Sequence, residues 1–292
     1  MTEMPSTHSS AQPELPVTII KPARGWSSQP LRDLWEYREL LFFLVWRDVK
    51  VRYKQTVLGA SWAILQPLLT TAIFALFFGR MAGMPSDGLP YPLFAFGGLL
   101  LWTFFAQALT HSSSSLVASS HLITKVYFPR LVIPVAAVIA AVLDLLVASP
   151  ALAVFMAVHH VPVTPRILLA PLFVVLVIAA AIGAGLWLSA LNVEYRDIRY
   201  TVPFLIQLWL FLSPIIYPTS SIASRLVSRG LPGWLVGLNP IAGAVEGFRW
   251  AMFGTSTLDT GVVAASCVVT GVLVISGGAY FRAVEREFAD VV

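Results

Sequence analysis

Residues 131–158 read LVIPVAAVIAAVLDLLVASPALAVFMAV. One ionisable side chain, Asp144, stands in a run that is otherwise apolar or small. A helix rises about 1.5 Å per residue, so roughly 20 residues cross the ~30 Å hydrocarbon core of a bilayer. Lipid offers no partner to backbone N–H and C=O groups, so a run of this kind crosses as a helix. Five more runs follow the same rule: Leu58–Phe78, Tyr91–Leu109, Ile167–Leu191, Pro203–Tyr217 and Gly261–Phe281. The expected fold is an all-α polytopic membrane protein with six transmembrane helices. Pro203–Tyr217 is the shortest run, and Pro203, Pro214 and Pro218 leave its ends the least defined.

Composition agrees. Of 292 residues, 57% are hydrophobic and 12% charged, with a mean hydropathy of +0.78. Soluble domains carry about 25% charged residues, and a water-soluble chain of this length cannot bury so much apolar side chain. A soluble enzyme, a disordered chain and a disulfide scaffold are excluded. Cys267 is the one cysteine, and the histidines have no ligand spacing, so no metal site is expected. The sequence has no Gly-rich phosphate loop and no hydrolase motif. Any energy consumed must therefore be supplied by another polypeptide.

Charge sets the orientation. With the N-terminus inside, fourteen Lys/Arg fall in inner segments and five (Arg80, Arg166, Arg225, Arg229, Arg249) in outer ones. Positive charge favours the cytoplasmic side, so both termini are expected there. The net charge of +4 and pI near 9.4 then describe a basic rim at the membrane rather than a nucleic-acid surface. Residues 1–30 are polar and proline-rich, without the apolar core of a signal peptide, and read as a cytoplasmic tail. Residues 31–56 form an interfacial and basic segment, 57–281 the membrane domain, and 282–292 a second cytoplasmic tail.

Leu31, Leu34, Trp35, Leu41, Phe42 and Val45 fall on one helical stripe, with Arg32, Asp33, Glu36 and Glu39 opposite. That pattern predicts an amphipathic helix lying in the membrane interface. Its charged face either meets a cytoplasmic partner or serves only an anchor. Arg47, Lys50 and Lys54 follow at i, i+3 and i+7, flanked by Arg52. Anchoring to anionic headgroups accounts for such charges at about 1 kcal/mol each. The functional reading is contact with a phosphate or pyrophosphate at the inner mouth of a pathway, which the guanidinium fork suits.

Between the second and third runs, Leu116, Ile123 and Tyr127 mark a modest apolar face on a short helix that Pro129 ends. This is expected to be a docking element. The third inner loop, residues 192–200, packs Glu194, Arg196, Asp197 and Arg199 together, as local ion pairs or as a contact surface. The outer stretch 218–260 is apolar but broken by glycine and proline. Two short re-entrant helices fit it, with Glu246 and Arg249 spaced to pair.

Asp144 has no basic partner visible in its own segment. An acid at that depth is either a transport group or a neutral, hydrogen-bonded one. Aromatic residues are abundant in the spans, and Trp102 and Trp209 fall near mid-span. Trp62, Trp102, Phe204, Trp209, Phe211 and Tyr217 are candidates for stacking on sugar rings in a channel, against the alternative of ordinary packing.

Five segments carry a resemblance. WRDVKVRYKQTVLGASWAILQP (46–67), KVYFPR (125–130), LNVEYRDIRY (191–200), SPIIYP (213–218) and LNP (238–240) with Phe248-Arg249 occur in order along the chain. Together they resemble the membrane domain of type-2 ABC exporters for polysaccharides and polyol phosphates, most of all the O-antigen exporters of lipopolysaccharide assembly. Exporters of capsule and teichoic acid are close relatives of that group.

The resemblance implies a homodimer bound to two ATP-binding cassette subunits, which bind ATP and Mg; this chain holds no cofactor. It implies a bacterial inner-membrane location and a channel lined by the first and fifth spans. The cargo would be a lipid-linked polysaccharide on undecaprenyl pyrophosphate. Docking of the ATPases would use Arg32, Glu36, Glu39, Leu116, Ile123, Tyr127, Arg196 and Asp197. A different class, an ion-coupled secondary carrier, would depend on Asp144.

Overall fold

The structure is a computed structural model that describes residues 34–54, 59, 61–195, 197–254, 258–285 and 288. The regular structure of the described residues is all helical, without a strand. Helix α1 spans Arg38–Tyr53. Helix α2 spans Ser61–Phe74 and widens into π turns over Ala75–Met81. There the ring of Tyr91 presses on Gly79, where a Cβ would sit 2.9 Å from the ring. Helix α3 runs Tyr91–Ala118, and a six-residue α4 covers Ser120–Lys125. Helix α5 is Val132–Val158, and α6 is Ala170–Glu194 after a 3₁₀ turn at Pro165–Leu169. Helix α7 is Ile198–Leu212 and α8 Thr219–Val227. After a 3₁₀ turn at Gly233–Leu238, α9 covers Pro240–Phe253 and α10 Thr260–Val284.

Among the described residues, five helices are long and apolar enough to cross a membrane: Ser61–Met81, Tyr91–Ala118, Val132–Val158, Pro165–Glu194 and Thr260–Val284. The expected run Pro203–Tyr217 is the difference. Its helix begins earlier, at Ile198, and stops at Leu212. Fifteen residues reach about 22 Å, short of the hydrocarbon core. Pro214 has no N–H to continue the ladder, so Ser213–Tyr217 leaves the helix.

Helix α3 is the centre. Most of its residues are buried, and it packs along α5 and α6, while α10 packs along α6. A continuous core joins Phe96, Leu101, Phe104 and Phe105 of α3 to Val138 of α5, Val177 of α6 and Val245 of α9. The α6–α10 crossing is close because Gly183 faces Gly277, where an added Cβ would sit 2.4 Å from the Gly183 carbonyl oxygen. Just beyond it, Trp187 stacks on Tyr280 at 4.2 Å and donates Nε1–H to Ser276.

The second expected run ends at Leu109, but α3 continues to Ala118, and Ser112–Ser115 form part of its last turns. Ser113, Ser114 and Ser115 return their hydroxyls to carbonyls three or four residues back, which satisfies them within the helix. Ser112 donates to the Pro134 carbonyl of α5, and Asn192 of α6 donates to the Ser113 carbonyl. The short helix expected to carry Leu116, Ile123 and Tyr127 is not one element: Leu116 belongs to α3 and Ile123 to α4, and Tyr127 follows the end of α4 at Lys125.

Candidate functional site

Helix α1 lies against α5, and together with the residues just before it, from Leu34, it carries two distinct apolar surfaces. Leu34, Tyr37, Leu40, Leu41, Leu44 and Val45 pack on Leu116, Ile123, Phe128, Val132 and Phe281. Trp35, Phe42, Phe43 and Trp46 are exposed. The expected single stripe is thus split: Leu34, Leu41 and Val45 face protein, and Trp35 and Phe42 face outward. Leu31, Arg32 and Asp33 lie outside the described residues, as does the tail before them.

The basic end of α1 does not present four equivalent cations. Arg47 is bound to its neighbour Asp48, with Nη2 2.8 Å from Oδ1. Lys50 sits over the ring of Trp46 at 5.2 Å. Lys54 is exposed at the helix end. At 100° per residue, Arg47, Lys50 and Lys54 share a sector roughly 60° wide, and Arg52 points to the other side. There Arg52 Nη1 forms an ion pair with Asp144 Oδ2, and the Tyr53 hydroxyl donates to Asp144 Oδ1. Burial, and then the Asp144 carboxylate, hold the Tyr53 hydroxyl well above its usual range, so it stays a donor.

Asp144 is therefore not a lone acid. It is 8% exposed, twelve residues along α5 or about 18 Å from that helix's first residue. A carboxylate so placed needs a partner, and the basic segment 91 and 92 residues earlier supplies two. No local pattern pointed to Arg52 rather than its three basic neighbours. The only signal was the need itself.

The aromatic candidates separate by exposure. Trp62, Phe204 and Phe211 are at least half exposed, on α2 and α7. Trp102 is 5% exposed and packs beside Phe105 in the core, so it is a packing residue and not a surface one. Trp209 stands edge-on to Phe105 at 5.1 Å and donates to Asn239, and the Tyr217 hydroxyl donates to the Phe211 carbonyl. Both are partly committed within the fold.

The docking candidates are also redistributed. Glu36, Glu39, Tyr127 and Asp197 are exposed. Leu116 and Ile123 are buried beneath Leu44 of α1, which covers the apolar face expected to be free. The exposed tip beyond them is Val126 and Tyr127. Arg196 lies outside the described residues. Among those described, no three His, Cys, Asp or Glu side chains could hold a metal ion.

A polar knot ties two of the five quoted segments, SPIIYP and LNP with Phe248-Arg249, together. Arg249 is buried and donates from Nε to the Phe94 carbonyl at 3.2 Å. Its Nη1 reaches the Pro214 carbonyl at 2.7 Å and Nη2 the Ile215 carbonyl at 3.0 Å. Gly98 leaves the room, since a Cβ there would sit 2.4 Å from Nη2. The expected Glu246–Arg249 pair does not form. Glu246 accepts instead from the Asp259 N–H, and burial raises its carboxyl to about 6. Asn239 caps α9 by accepting from the Ile241 N–H at 3.1 Å, and it donates to Ser213 Oγ at 2.9 Å.

Comparison with known proteins gives one family: the model for "ABC-2 type transporter" matches residues 39–253. An O-antigen export system permease protein of Myxococcus xanthus is 29% identical over 260 residues, covering 89% of this chain and 98% of that protein. One from Klebsiella pneumoniae is 28% identical, covering 87% and 95%. A polysialic acid transport protein of Escherichia coli is 27% identical over 212 residues, covering 70% and 78%.

Proposed function

This chain belongs to the ABC-2 type transporter family, and from that premise we propose that it is the permease subunit of an ATP-driven O-antigen exporter. Its cargo is polysaccharide carried on undecaprenyl pyrophosphate across the bacterial inner membrane. The observation that carries this reading is collinear similarity to O-antigen permeases over almost their whole length. Similarity to the polysialic acid transporter is shorter on both chains, which makes capsule export the second reading.

Two copies of the chain form the conduit, with α2 and α7 facing it and α7, α8 and α9 completing a sixth crossing and outer re-entrant helices. Both helices present apolar and aromatic side chains that this protomer leaves uncovered: Trp62, Leu69 and Phe77 on α2, Phe204, Leu208 and Phe211 on α7. Two ATP-binding cassette subunits hold ATP and Mg. They dock on the cytoplasmic side through the charged face of the α1 segment (Glu36, Glu39), the tip at Tyr127 and the loop at Asp197. The basic segment that holds Arg47, Lys50, Arg52 and Lys54 stands at the inner mouth, where the anionic lipid headgroup arrives, with both termini cytoplasmic. Engagement of Asp144 by Arg52 and Tyr53 favours this reading over an ion-coupled carrier, which needs a carboxylate free to exchange its ion.

Deleting the gene is the test. Lipid-linked polymer is expected to accumulate inside the cell while O-antigen disappears from the surface, and affinity-tagged chain should co-purify with an ATPase. Loss of capsule with intact O-antigen would select the second reading.

A further inference from the structure

We propose that Asp144 is a positioning residue that aims the Arg52 guanidinium at a lipid-linked phosphate, which makes Arg52 the anion-binding group of the basic segment. The inference rests on the exporter reading and deepens it.

Three observations carry it. First, Arg52 commits one edge of its fork: Nη1 holds Asp144, whereas Nε and Nη2 make no hydrogen bond among the described residues. Second, the two ends of the pair differ in exposure, with the Asp144 side chain 10% exposed and the Arg52 side chain 23%. The carboxylate is anchored in protein, its second oxygen held by Tyr53, and Arg52 is the more exposed member of the pair. Third, His111 of α3 lies within electrostatic range of both members of the pair, so the pair stands where α1, α3 and α5 come near one another.

A guanidinium binds phosphate best through two parallel N–H donors. Here the Nε–Nη2 edge supplies such a pair, and a buried carboxylate fixes its direction before the ligand arrives, which lowers the ordering cost of binding. Arg47 is neutralised by Asp48, and Arg47, Lys50 and Lys54 turn to the opposite side of α1, beside the exposed Trp46. That side suits the anionic surface of the bilayer. The basic segment therefore divides its labour, membrane attachment on one face and ligand recognition on the other.

The test uses the permease–ATPase complex in nanodiscs, with ATP hydrolysis followed against added undecaprenyl pyrophosphate. Asp144→Asn keeps the shape of the side chain and removes its charge. It is expected to raise the half-saturating lipid concentration about tenfold while the maximal stimulated rate stays within about twofold. The exchanged pair Arg52→Asp with Asp144→Arg separates this role from mere structural pairing. It restores an ion pair but moves the guanidinium to α5, so the weakened half-saturation should persist.

Full recovery in the exchanged pair, or unchanged or tighter half-saturation in Asp144→Asn, overturns the proposal. If Asp144→Asn fails to assemble, Arg52→Lys decides, because it keeps the charge and loses the fork: a weakened half-saturation supports the proposal and an unchanged one overturns it. Inorganic pyrophosphate is the parallel probe. Competition by it assigns the site to phosphate anions at large, and no competition assigns it to the lipid-borne group. A wild-type complex that ignores the lipid defeats the exporter reading together with this inference. A responsive wild type with an unmoved Asp144→Asn defeats the inference alone.

Discussion

Arg249 shows how one buried cation organises an irregular backbone. Where α7 ends at a proline, the carbonyls of Pro214 and Ile215 lose helical partners, and the guanidinium supplies three donors to them and to Phe94. Its face also lies 3.5 Å over the Phe94 ring. Replacing Arg249 by Met would leave the Pro214 and Ile215 carbonyls unsatisfied, at about 1–3 kcal/mol each before relaxation. A lysine could reach one or two of them and could not reproduce the fork. Arg249→Met and Arg249→Lys should therefore both lower the melting temperature of the detergent-solubilised chain, the first more than the second. A full return of stability in the lysine variant would mean that charge alone matters there.

Among the elements, the α6–α10 pair depends on small residues rather than on large apolar ones. The Gly183 backbone occupies the space a Gly277 side chain would need, whereas a Cβ on Gly278 meets nothing within 4 Å. Backbone cannot rotate away as a side chain can, so Gly277→Ala must push the helices apart and strain the Trp187–Tyr280 stack. Overpacking of this kind costs about 1–3 kcal/mol. Gly278→Ala should be silent. A thermal melt of the two variants side by side checks the crossing, and equal melts would show that it opens without penalty. Helix α1 makes the complementary point. Its stability comes from Leu44 seated between α3, α4 and α5, while its exposed Phe42, Phe43 and Trp46 are left for lipid.

For the whole molecule, the distribution of burial separates scaffold from working surface. In the most apolar stretch of α3, 78% of residues are buried inside the protein, against 11% in Ser61–Met81. The first helix is fixed by packing, and the second is left for lipid or for another copy of the chain. Trp102 belongs to the scaffold, and Trp102→Ala is expected to destabilise by about 3–5 kcal/mol and to deplete the protein from the membrane. The triple change Trp62→Ala, Phe204→Ala, Phe211→Ala should leave protein level and ATPase association unchanged and reduce surface polysaccharide several-fold. Immunoblotting of membranes with parallel detection of surface glycan distinguishes the two. Normal glycan in the triple variant would remove these side chains from the conduit.

The sequence by itself determined that the chain lives in a bilayer, where its long spans run, and, through five ordered motifs, the family it resembles. Those properties are local: hydropathy, length and motif order require no knowledge of which segments meet. It also placed the basic end of α1 and the intramembrane acid, as two separate observations. Only the tertiary structure joined Arg52 to Asp144, sent Arg249 to backbone carbonyls instead of Glu246, buried Leu116 and Ile123 under α1, and withdrew Trp102 into the core. Helical periodicity says which side of a helix is apolar. It cannot say whether lipid or another helix covers that side, because both are equally free of water.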